Sequence, residues 1–371
     1  MCLPTNRRPR RNGACGPVLF KAPNAPTGAD RLTTPATTTQ TPTEAGTPAD
    51  VAEPRRQRFQ RPVKPRMLLI VNPRATTVSG RLKRLVEYAL RGRYEVEAVE
   101  TEARNHATEL TRTAVAEGYD LVVAFGGDGT INETVNGLAG SAVPLTILPG
   151  GCTNVVCRML AIPTDIVDAT EHLLALADDL TPRAIDLGRV NDRYFVSSAG
   201  IGMDADTTRW VDERPRVKAH AGPFFFSVAG AATFGRYLHD APVLAFEAQG
   251  RRAEGVSAVV QNSDPYTYFN DRPIRVCKGT RLDSGELCAT VLHSARRRDM
   301  PALTWRLLSG RDAESHPQAV GFERLLEAHA TALPTREGVE RLFPIQVDGD
   351  YIGDFEHADF TIHPGSLLVV V

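Results

Sequence analysis

The sequence predicts an α/β fold with a parallel sheet in a first domain and a second, mainly β domain. Apolar runs of strand length alternate with helical apolar spacing through residues 67–148, whereas short strands separated by Gly and Asp turns follow residue 181. With 371 residues, 42% of them hydrophobic, the chain can form two packed cores. We therefore predict a disordered tail at 1–66 and domains at 67–181 and 182–371.

In the first domain, MLLIV at 67–71 predicts a buried strand that ends in Asn-Pro turn chemistry. Leu82, Leu85, Val86 and Leu90 have helical spacing within 79–90. Further strands are predicted at 94–99, 121–125 and 144–148, and further helices at 106–116 and 131–138. Strands that alternate with helices favour a parallel sheet, whose ligands bind at the carboxyl ends of the strands.

In the second domain, strands are predicted at 194–198, 243–247, 256–261, 287–292 and 367–371. Helical spacing predicts helices at 204–217 and 224–239 and a third near 318–329. The apolar patch of Phe224, Phe225 and Phe226 is either core or the lining of an acyl cleft at a bilayer surface.

Charge is divided sharply along the chain. Residues 1–66 contain 12 Lys plus Arg and 4 Asp plus Glu, a net +8, so that the remainder carries −9 of the total −1. The tail is rich in Thr, Pro and Ala, and is interpreted as a solvated segment or an electrostatic tether, with Met67 an alternative start. The acidic remainder argues against a nucleic-acid-binding core.

Other function classes are disfavoured by motif and composition. The six cysteines lack the paired short spacings of a disulfide framework or a zinc site, and the nine histidines show no HExxH motif. No run of about 18 apolar residues predicts a transmembrane helix, and no apolar core follows the amino-terminal arginines as in a secretory signal. We therefore expect a cytoplasmic protein.

The run Phe125-Gly126-Gly127-Asp128-Gly129-Thr130 joins a strand end, a glycine turn and a helix start. Glycines allow backbone N–H groups to approach an anion, and the helix dipole favours phosphate there. The run lacks the lysine of a Walker loop and the spacing of a dinucleotide-binding fingerprint. We interpret the run as a phosphate-binding loop. The alternative is an ordinary strand-to-helix turn in which Thr130 caps the helix.

This run resembles the GGDGT signature of the diacylglycerol kinase, sphingosine kinase, ceramide kinase and NAD kinase superfamily, and the extension INETVNGL resembles its lipid kinase branch. VNPRAT at 71–76 and LPGGCTNVVCR at 148–158 are similar to the family's other nucleotide loops. The resemblance implies an ATP-binding first domain and a sandwich-like, lipid-binding second domain, with the last strand a candidate to return to the first domain. It also implies ATP contacts from Asn72, Pro73, Arg74, Ala75, Thr76, Thr101, Gly126, Gly127, Asp128, Gly129, Thr130, Ile131, Asn132, Glu133, Gly151, Cys152, Thr153 and Asn154.

Four blocks of the second domain also resemble the family: SSAGIGMDA at 197–205, QNSDPYTYFN at 261–270, LDSGEL at 282–287 and VDGD at 347–350. The last block usually ends in Glu, so that Asp350, one methylene shorter, is the first candidate base, with Asp348 beside it and Asp128 as the competing candidate. LDSGEL resembles a structural Mg²⁺ turn, which makes Asp283 and Glu286 candidate metal ligands.

The resemblance implies a lipid kinase of phospholipid biosynthesis that uses ATP and Mg²⁺ on a diacylglycerol or sphingoid-like acceptor. We expect peripheral contact with a membrane that presents the lipid substrate, and the oligomeric state is left open between monomer and homodimer. One alternative is an NAD kinase-like enzyme with a soluble acceptor. The other is a catalytically silent lipid-binding protein, because Cys152, Ser284 and Asp350 depart from the family pattern.

Overall fold

The computed structural model describes residues 64–75, 77–214, 233, 235, 237, 242–269, 271–311, 313–335 and 337–371, all within one compact unit, 61–371. The tail before residue 64, Thr76, the end of the helix predicted at 204–217 and nearly all of the one predicted at 224–239, with its Phe patch, lie outside the described residues. Within the described ranges, no helix has the length and apolar character needed to cross a membrane.

The first half of the described chain alternates strands and helices. Its elements are β1 (Arg66–Val71), α1 (Gly80–Leu90), β2 (Glu95–Glu100), α2 (His106–Glu117), β3 (Leu121–Gly126), α3 (Asp128–Leu138), β4 (Leu145–Pro149), α4 (Val155–Met159), α5 (Ile166–Ala175) and a 3₁₀ turn (Leu176–Asp178). The strands pair in parallel in the order β2-β1-β3-β4. Each strand and helix predicted between residues 67 and 148 is present, with ends shifted by at most three residues.

The second half is mainly β. Its elements are β5 (Arg183–Val190), β6 (Arg193–Phe195), β7 (Ser198–Gly202), α6 (Met203–Asp212), β8 (Leu244–Ala248), β9 (Arg251–Gly255), β10 (Ser257–Gln261), β11 (Thr267–Phe269), β12 (Arg272–Ile274), β13 (Leu287–Leu292), α7 (Met300–Leu308), β14 (Ala319–Leu325), β15 (Glu327–Ala332), β16 (Phe343–Val347), β17 (Asp350–Phe355) and β18 (His357–Val369).

The last strand joins the two halves. β18 meets β4 in parallel at Val369 and Leu145, and pairs antiparallel with β5 and β15, so that one sheet runs β2-β1-β3-β4-β18-β15-β8-β9. A second sheet, antiparallel throughout, has the order β14-β13-β10-β7-β16-β17. The β-rich end of the first sheet and the second sheet bury a common core, in which the rings of Phe246 and Phe322 meet edge to face at 5.2 Å. The predicted fold class is confirmed.

The helix predicted near 318–329 is wrong, because this segment forms β14 and β15. Its Ala, Glu and Leu residues favour a helix locally, but β15 lies between β8 and β18 and pairs with both. Ala328 and Ala330 are buried while Glu327 and His329 are exposed, which is the period of a strand. Tertiary pairing therefore overrides local propensity here.

Candidate active site

Three loops meet at the carboxyl ends of β1, β3 and β4. Backbone hydrogen bonds join them: Asn72 N donates to Phe125 O at 2.9 Å, and Gly150 N donates to Gly126 O at 2.8 Å. Thr77 N also donates to Gly150 O at 3.2 Å. Because neighbouring parallel strands end at one edge, loops far apart in sequence form one surface there.

Glycines at this edge are required by close packing. A Cβ on Gly126 would lie 2.6 Å from Thr130 Oγ1, and a Cβ on Gly151 would lie 3.0 Å from Gly127 Cα. Thr130 Oγ1 in turn accepts a hydrogen bond from Asn72 Nδ2 at 2.9 Å. The loops after β1, β3 and β4 are therefore locked together, backbone against backbone, at the amino terminus of α3.

The loop after β4 is folded around one amide. Asn154, with φ of 47°, accepts from Gly151 N through Oδ1 and donates to Gly151 O through Nδ2, both at 3.0 Å. This ring of bonds presents Cys152, which is exposed, and Thr153, which is half-buried. Val155 N, at the start of α4, donates to Asp128 Oδ1 at 3.0 Å and ties this loop to the glycine run.

Other predicted nucleotide contacts have structural partners. Glu133 accepts from Asn105 N at 2.9 Å and from Ala107 N at 3.2 Å, and so caps α2. Ile131 is buried in the core, and Thr101 N donates to Val71 O. Pro73 and Arg74 are exposed on the first loop, Ala75 beside them is half-buried, and Gly127 and Gly129 are half-buried at the start of α3.

Asp348 is an anchored carboxylate. It is only 9% exposed, and its two oxygens accept four hydrogen bonds of 2.8–3.1 Å from Asn132 Nδ2 and the backbone N–H groups of Val196, Ser197 and Ser198. Sequence reasoning took 194–198 as a single strand. The structure ends β6 at Phe195 and begins β7 at Ser198, because the intervening N–H groups turn to Asp348.

Asp350 begins β17 and lies against the first turn of α3. A Cβ on Gly129 would lie 2.5 Å from Asp350 Oδ2, so that only glycine leaves room for this carboxylate. The second sheet thus positions Asp350 beside α3, the helix that follows the glycine run. Of the three candidate catalytic carboxylates, Asp348 accepts four hydrogen bonds and anchors its turn, whereas Asp350 and Asp128 lie at the first turn of α3, beside the glycine run.

Asp128 is electrostatically strained. Burial, followed by the neighbouring charges of Asp348 and Asp350, raises its pKa to about 6, although the backbone N–H groups of Val155 and Val156 act in the opposite direction. Like charges that share a low-dielectric site repel, and perturbed pKa values of this kind cluster at catalytic centres. Three carboxylates, from α3, from the turn between β16 and β17 and from the start of β17, therefore lie close together beside the glycine run.

Residues 66–190 match the family model of the diacylglycerol kinase catalytic domain. This part of the chain is therefore similar to diacylglycerol kinase catalytic domains. A diacylglycerol kinase of Staphylococcus haemolyticus is 27% identical over 266 residues, which cover 71% of this chain and 74% of that protein. One of Staphylococcus carnosus is 23% identical over 297 residues, 78% of this chain and 90% of that protein.

A crystal structure of a diacylglycerol kinase from Bacillus anthracis superposes with a TM-score of 0.59 and 19% sequence identity. The match covers 82% of this chain and 96% of that one, and at this identity it shows the fold. These similarities support a kinase activity for the chain.

Within this fold, sequence reasoning missed a hydrogen-bond relay behind Asp350, formed by Asp204, Tyr266 and Gln346. The half-buried Asp204 accepts from Tyr266 Oη at 2.7 Å and from Gln346 Nε2 at 2.9 Å, and Gln346 Oε1 accepts from Gly349 N at 2.8 Å. Gly349 lies in the turn before Asp350, so that the relay fixes the turn that carries the candidate base. Burial raises the pKa of Asp204, although both hydrogen bonds oppose this. Asp204 and Tyr266 lie in blocks that resemble the family, which was the available signal.

Arg193 was also missed. It donates to Asn132 Oδ1 at 2.9 Å and to Asn105 Oδ1 at 3.2 Å, and so brings a guanidinium between α2 and α3. Burial lowers its pKa, while the charges of Glu133, Asp350 and Asp348 raise it. A cation close to converging carboxylates offsets their repulsion. An isolated Arg in a strand carries no sequence motif that could have indicated this role.

Asp283 and Glu286, the predicted Mg²⁺ ligands, lie on the turn before β13. Asp283 pairs with Arg281 Nε at 3.0 Å, and the described residues contain no group of three or more His, Cys, Asp or Glu placed to hold a metal ion. The loop is secured instead by Asp186, whose carboxylate accepts from Gly285 N at 2.6 Å and from Gly365 N at 2.8 Å. Direct hydrogen bonds thus hold the turn.

The anchoring role of Asp348 makes a stability prediction. Asp348→Asn should lower the free energy of unfolding by about 2–4 kcal/mol, because an NH₂ group replaces an oxygen that faces donors. Asp354→Asn on β17 is the control, since its 39% exposed carboxylate pairs with Arg209 at the surface and contributes about 0–1 kcal/mol. Urea unfolding followed by circular dichroism measures both. Equal losses in the two variants would contradict an anchoring role.

Proposed function

We propose that the protein is an ATP-dependent lipid kinase that transfers the γ-phosphate of Mg-ATP to a hydroxyl group of a lipid, a diacylglycerol or a sphingoid-like alcohol. The observation that carries this proposal is the position of Asp350, whose carboxylate packs on Gly129 at the start of the helix that follows the glycine run. A proton acceptor thereby lies beside the surface that the three loops form for phosphate.

In the proposed reaction, the loops after β1, β3 and β4 bind the phosphates of ATP, and the helix dipole of α3 favours their charge. Mg²⁺ arrives with ATP as part of the substrate and offsets the charge of the phosphoryl group. The lipid hydroxyl oxygen attacks the γ-phosphorus, its proton passes to the Asp350 carboxylate, and the bond to ADP breaks. Asp348 and Asp204 position the turn that carries this base.

The acceptor class rests on the similarity to diacylglycerol kinases. Diacylglycerol kinase is the name of the relatives from both Staphylococcus species, and four second-domain blocks resemble the lipid branch. A diacylglycerol is held in a bilayer by its acyl chains, so that the enzyme must meet it at a membrane surface. We therefore place the reaction at peripheral contact with a cytoplasmic membrane face.

The test is transfer of labelled phosphate from Mg-ATP into a total lipid extract, with product identification, by the intact chain and by Asp128→Ala. We expect a labelled lipid from the intact chain and at least a hundredfold less from the variant. Assays with NAD in place of lipid run in parallel. Labelled NADP without labelled lipid would establish a soluble acceptor, and ATP binding without any transfer would establish a silent protein.

A further inference from the structure

One side of α7 carries exposed apolar side chains. Pro301, Ala302 and Trp305 are exposed at spacings that place them on one side of the helix, while Leu303 is buried against the protein. Trp305 is 57% exposed and is one of only two tryptophans in the chain. A large aromatic side chain gains most from burial, so that an exposed tryptophan grouped with other apolar side chains on one side of a helix favours a surface that meets another phase or molecule.

Arginines flank this face at both ends. Arg296, Arg297 and Arg298 are exposed just before α7, and Arg311, just after it, lies with its guanidinium 4.9 Å from the centre of the Trp305 ring. Asp299, the one acidic residue from 296 to 311, pairs with Arg298 at 3.7 Å. This cluster stands out because residues 67–371 together carry a net −9.

The cluster connects to the candidate active site through the β11–β12 hairpin. α7 packs against β12, and Ala313 N donates to Arg275 O at 3.3 Å. At its other side the hairpin meets α4: the Arg158 guanidinium lies 4.9 Å from the Tyr268 ring centre and 3.3 Å from Asp271. α4 begins at the N–H group that binds Asp128. The hairpin therefore spans from the arginine cluster to the nucleotide loops.

We propose that Arg296, Arg297, Arg298, Trp305 and Arg311 form a docking surface for an anionic phospholipid bilayer, with Trp305 at the level of the headgroups. This inference rests on the proposed lipid kinase function and names the surface that brings the enzyme to its substrate. Tryptophan favours the boundary between water and hydrocarbon, and arginines near an anionic leaflet are attracted to its negative potential. Trp305 thus suits the boundary between water and hydrocarbon, and the arginines suit the anionic headgroups of the same membrane surface.

Vesicle binding tests the proposal without any turnover, so that failure of the kinase assay and failure of docking are distinguishable. The full chain with Trp210→Phe keeps Trp305 as its single tryptophan. We expect a blue shift of its emission on vesicles of phosphatidylcholine with about 30% phosphatidylglycerol, and quenching by brominated acyl chains. Pure phosphatidylcholine vesicles should give little of either effect.

Sedimentation with vesicles then compares variants. Changing Arg296, Arg297 and Arg298 together to Ala should weaken binding to the anionic vesicles about tenfold or more, and Trp305→Ala should weaken it severalfold. The matched controls are Arg81, Arg84 and Arg112 changed together to Ala, and Tyr88→Ala, which alter exposed side chains of α1 and α2. Every protein keeps the basic tail, so that differences between variants report the surface alone.

Several results would overturn the docking surface. These are unchanged vesicle binding in the Arg296–298 and Trp305 variants, equal losses in the α1 and α2 controls, or equal binding to phosphatidylcholine alone. Tight binding of single-stranded RNA by the same arginines, with no quenching by brominated lipid, would assign the surface to a nucleic acid instead. Phosphorylation of a dispersed short-chain diacylglycerol should be unchanged in the surface variants, since this acceptor needs no bilayer.

Discussion

Asp350→Asn should lower kcat for lipid phosphorylation by about 10²–10⁴-fold, the usual contribution of a positioned general base. The Kd for Mg-ATP should change little, since the phosphate loops lie on β1, β3 and β4 while Asp350 comes from β17. The amide keeps the volume of the carboxylate and cannot take a proton at neutral pH. Initial rates, together with calorimetric titration of the nucleotide, separate the loss of transfer from any loss of binding.

Gly129→Ala tests the same carboxylate by changing the residue against which it packs. Its methyl group would lie 2.5 Å from Asp350 Oδ2, so that the carboxylate must rotate away from α3. We expect a loss of kcat comparable to that of Asp350→Asn in a protein that still folds, because the clash is with the end of a side chain. Asp354→Asn, on the same strand, should retain near-normal kcat. Normal turnover in Asp350→Asn would move the base to Asp128.

Much of the parallel half could be predicted from sequence because its signals are local. A strand, a glycine turn and a helix start follow one another within residues 121–138, and the structure has them in that order. Asn72 and Gly151 likewise follow predicted strands, and the structure has them in the loops after β1 and β4. Parallel strands that end together then bring these loops to one edge without further information.

The antiparallel half was less predictable, because its strands depend on partners distant in sequence. Residues 318–329 favour a helix when read alone and become β14 and β15 only between their neighbours. The interruption of the strand predicted at 194–198 depends on Asp348, about 150 residues later in the chain. The pattern of apolar residues within 194–198 alone cannot indicate a partner so far away in the sequence.

The same reasoning explains which site residues were found. Asp128 and Asp350 lie in short motifs, whereas the relay from Asp204 to Gln346 joins residues 142 positions apart. Arg193 has hydrogen-bond partners on α3 and in the loop before α2. A single sequence shows residue types and spacing, but not which buried polar groups will satisfy one another. Supporting residues of this kind become visible only in three dimensions.

The pH dependence of stability should separate Asp128 from its neighbour Asp348. The pKa of Asp128 is raised to about 6 in the folded protein by burial and by two like charges, against about 4 in an unfolded chain. The folded state therefore holds this proton more tightly. The stabilising contribution of the protonated Asp128 is fully present below pH 4 and is lost as the pH rises through 6.

Asp128→Asn should consequently raise the free energy of unfolding at pH 8 by on the order of 2 kcal/mol, and this gain should vanish below pH 4. The amide oxygen can still accept from Val155 N, while the charge that repels Asp348 and Asp350 is gone. Phosphoryl transfer should nevertheless fall sharply, because Asp128 is the competing candidate base of the predicted site.

Urea unfolding at pH 4, 6 and 8 measures this difference, with Asp348→Asn as the comparison. The two variants should differ in sign at pH 8, since one relieves repulsion and the other breaks a set of satisfied hydrogen bonds. Destabilisation by Asp128→Asn at pH 8 would show that its hydrogen bonds to α4 outweigh the repulsion. Stabilisation with loss of turnover would show that the carboxylate is kept for chemistry at the expense of the fold.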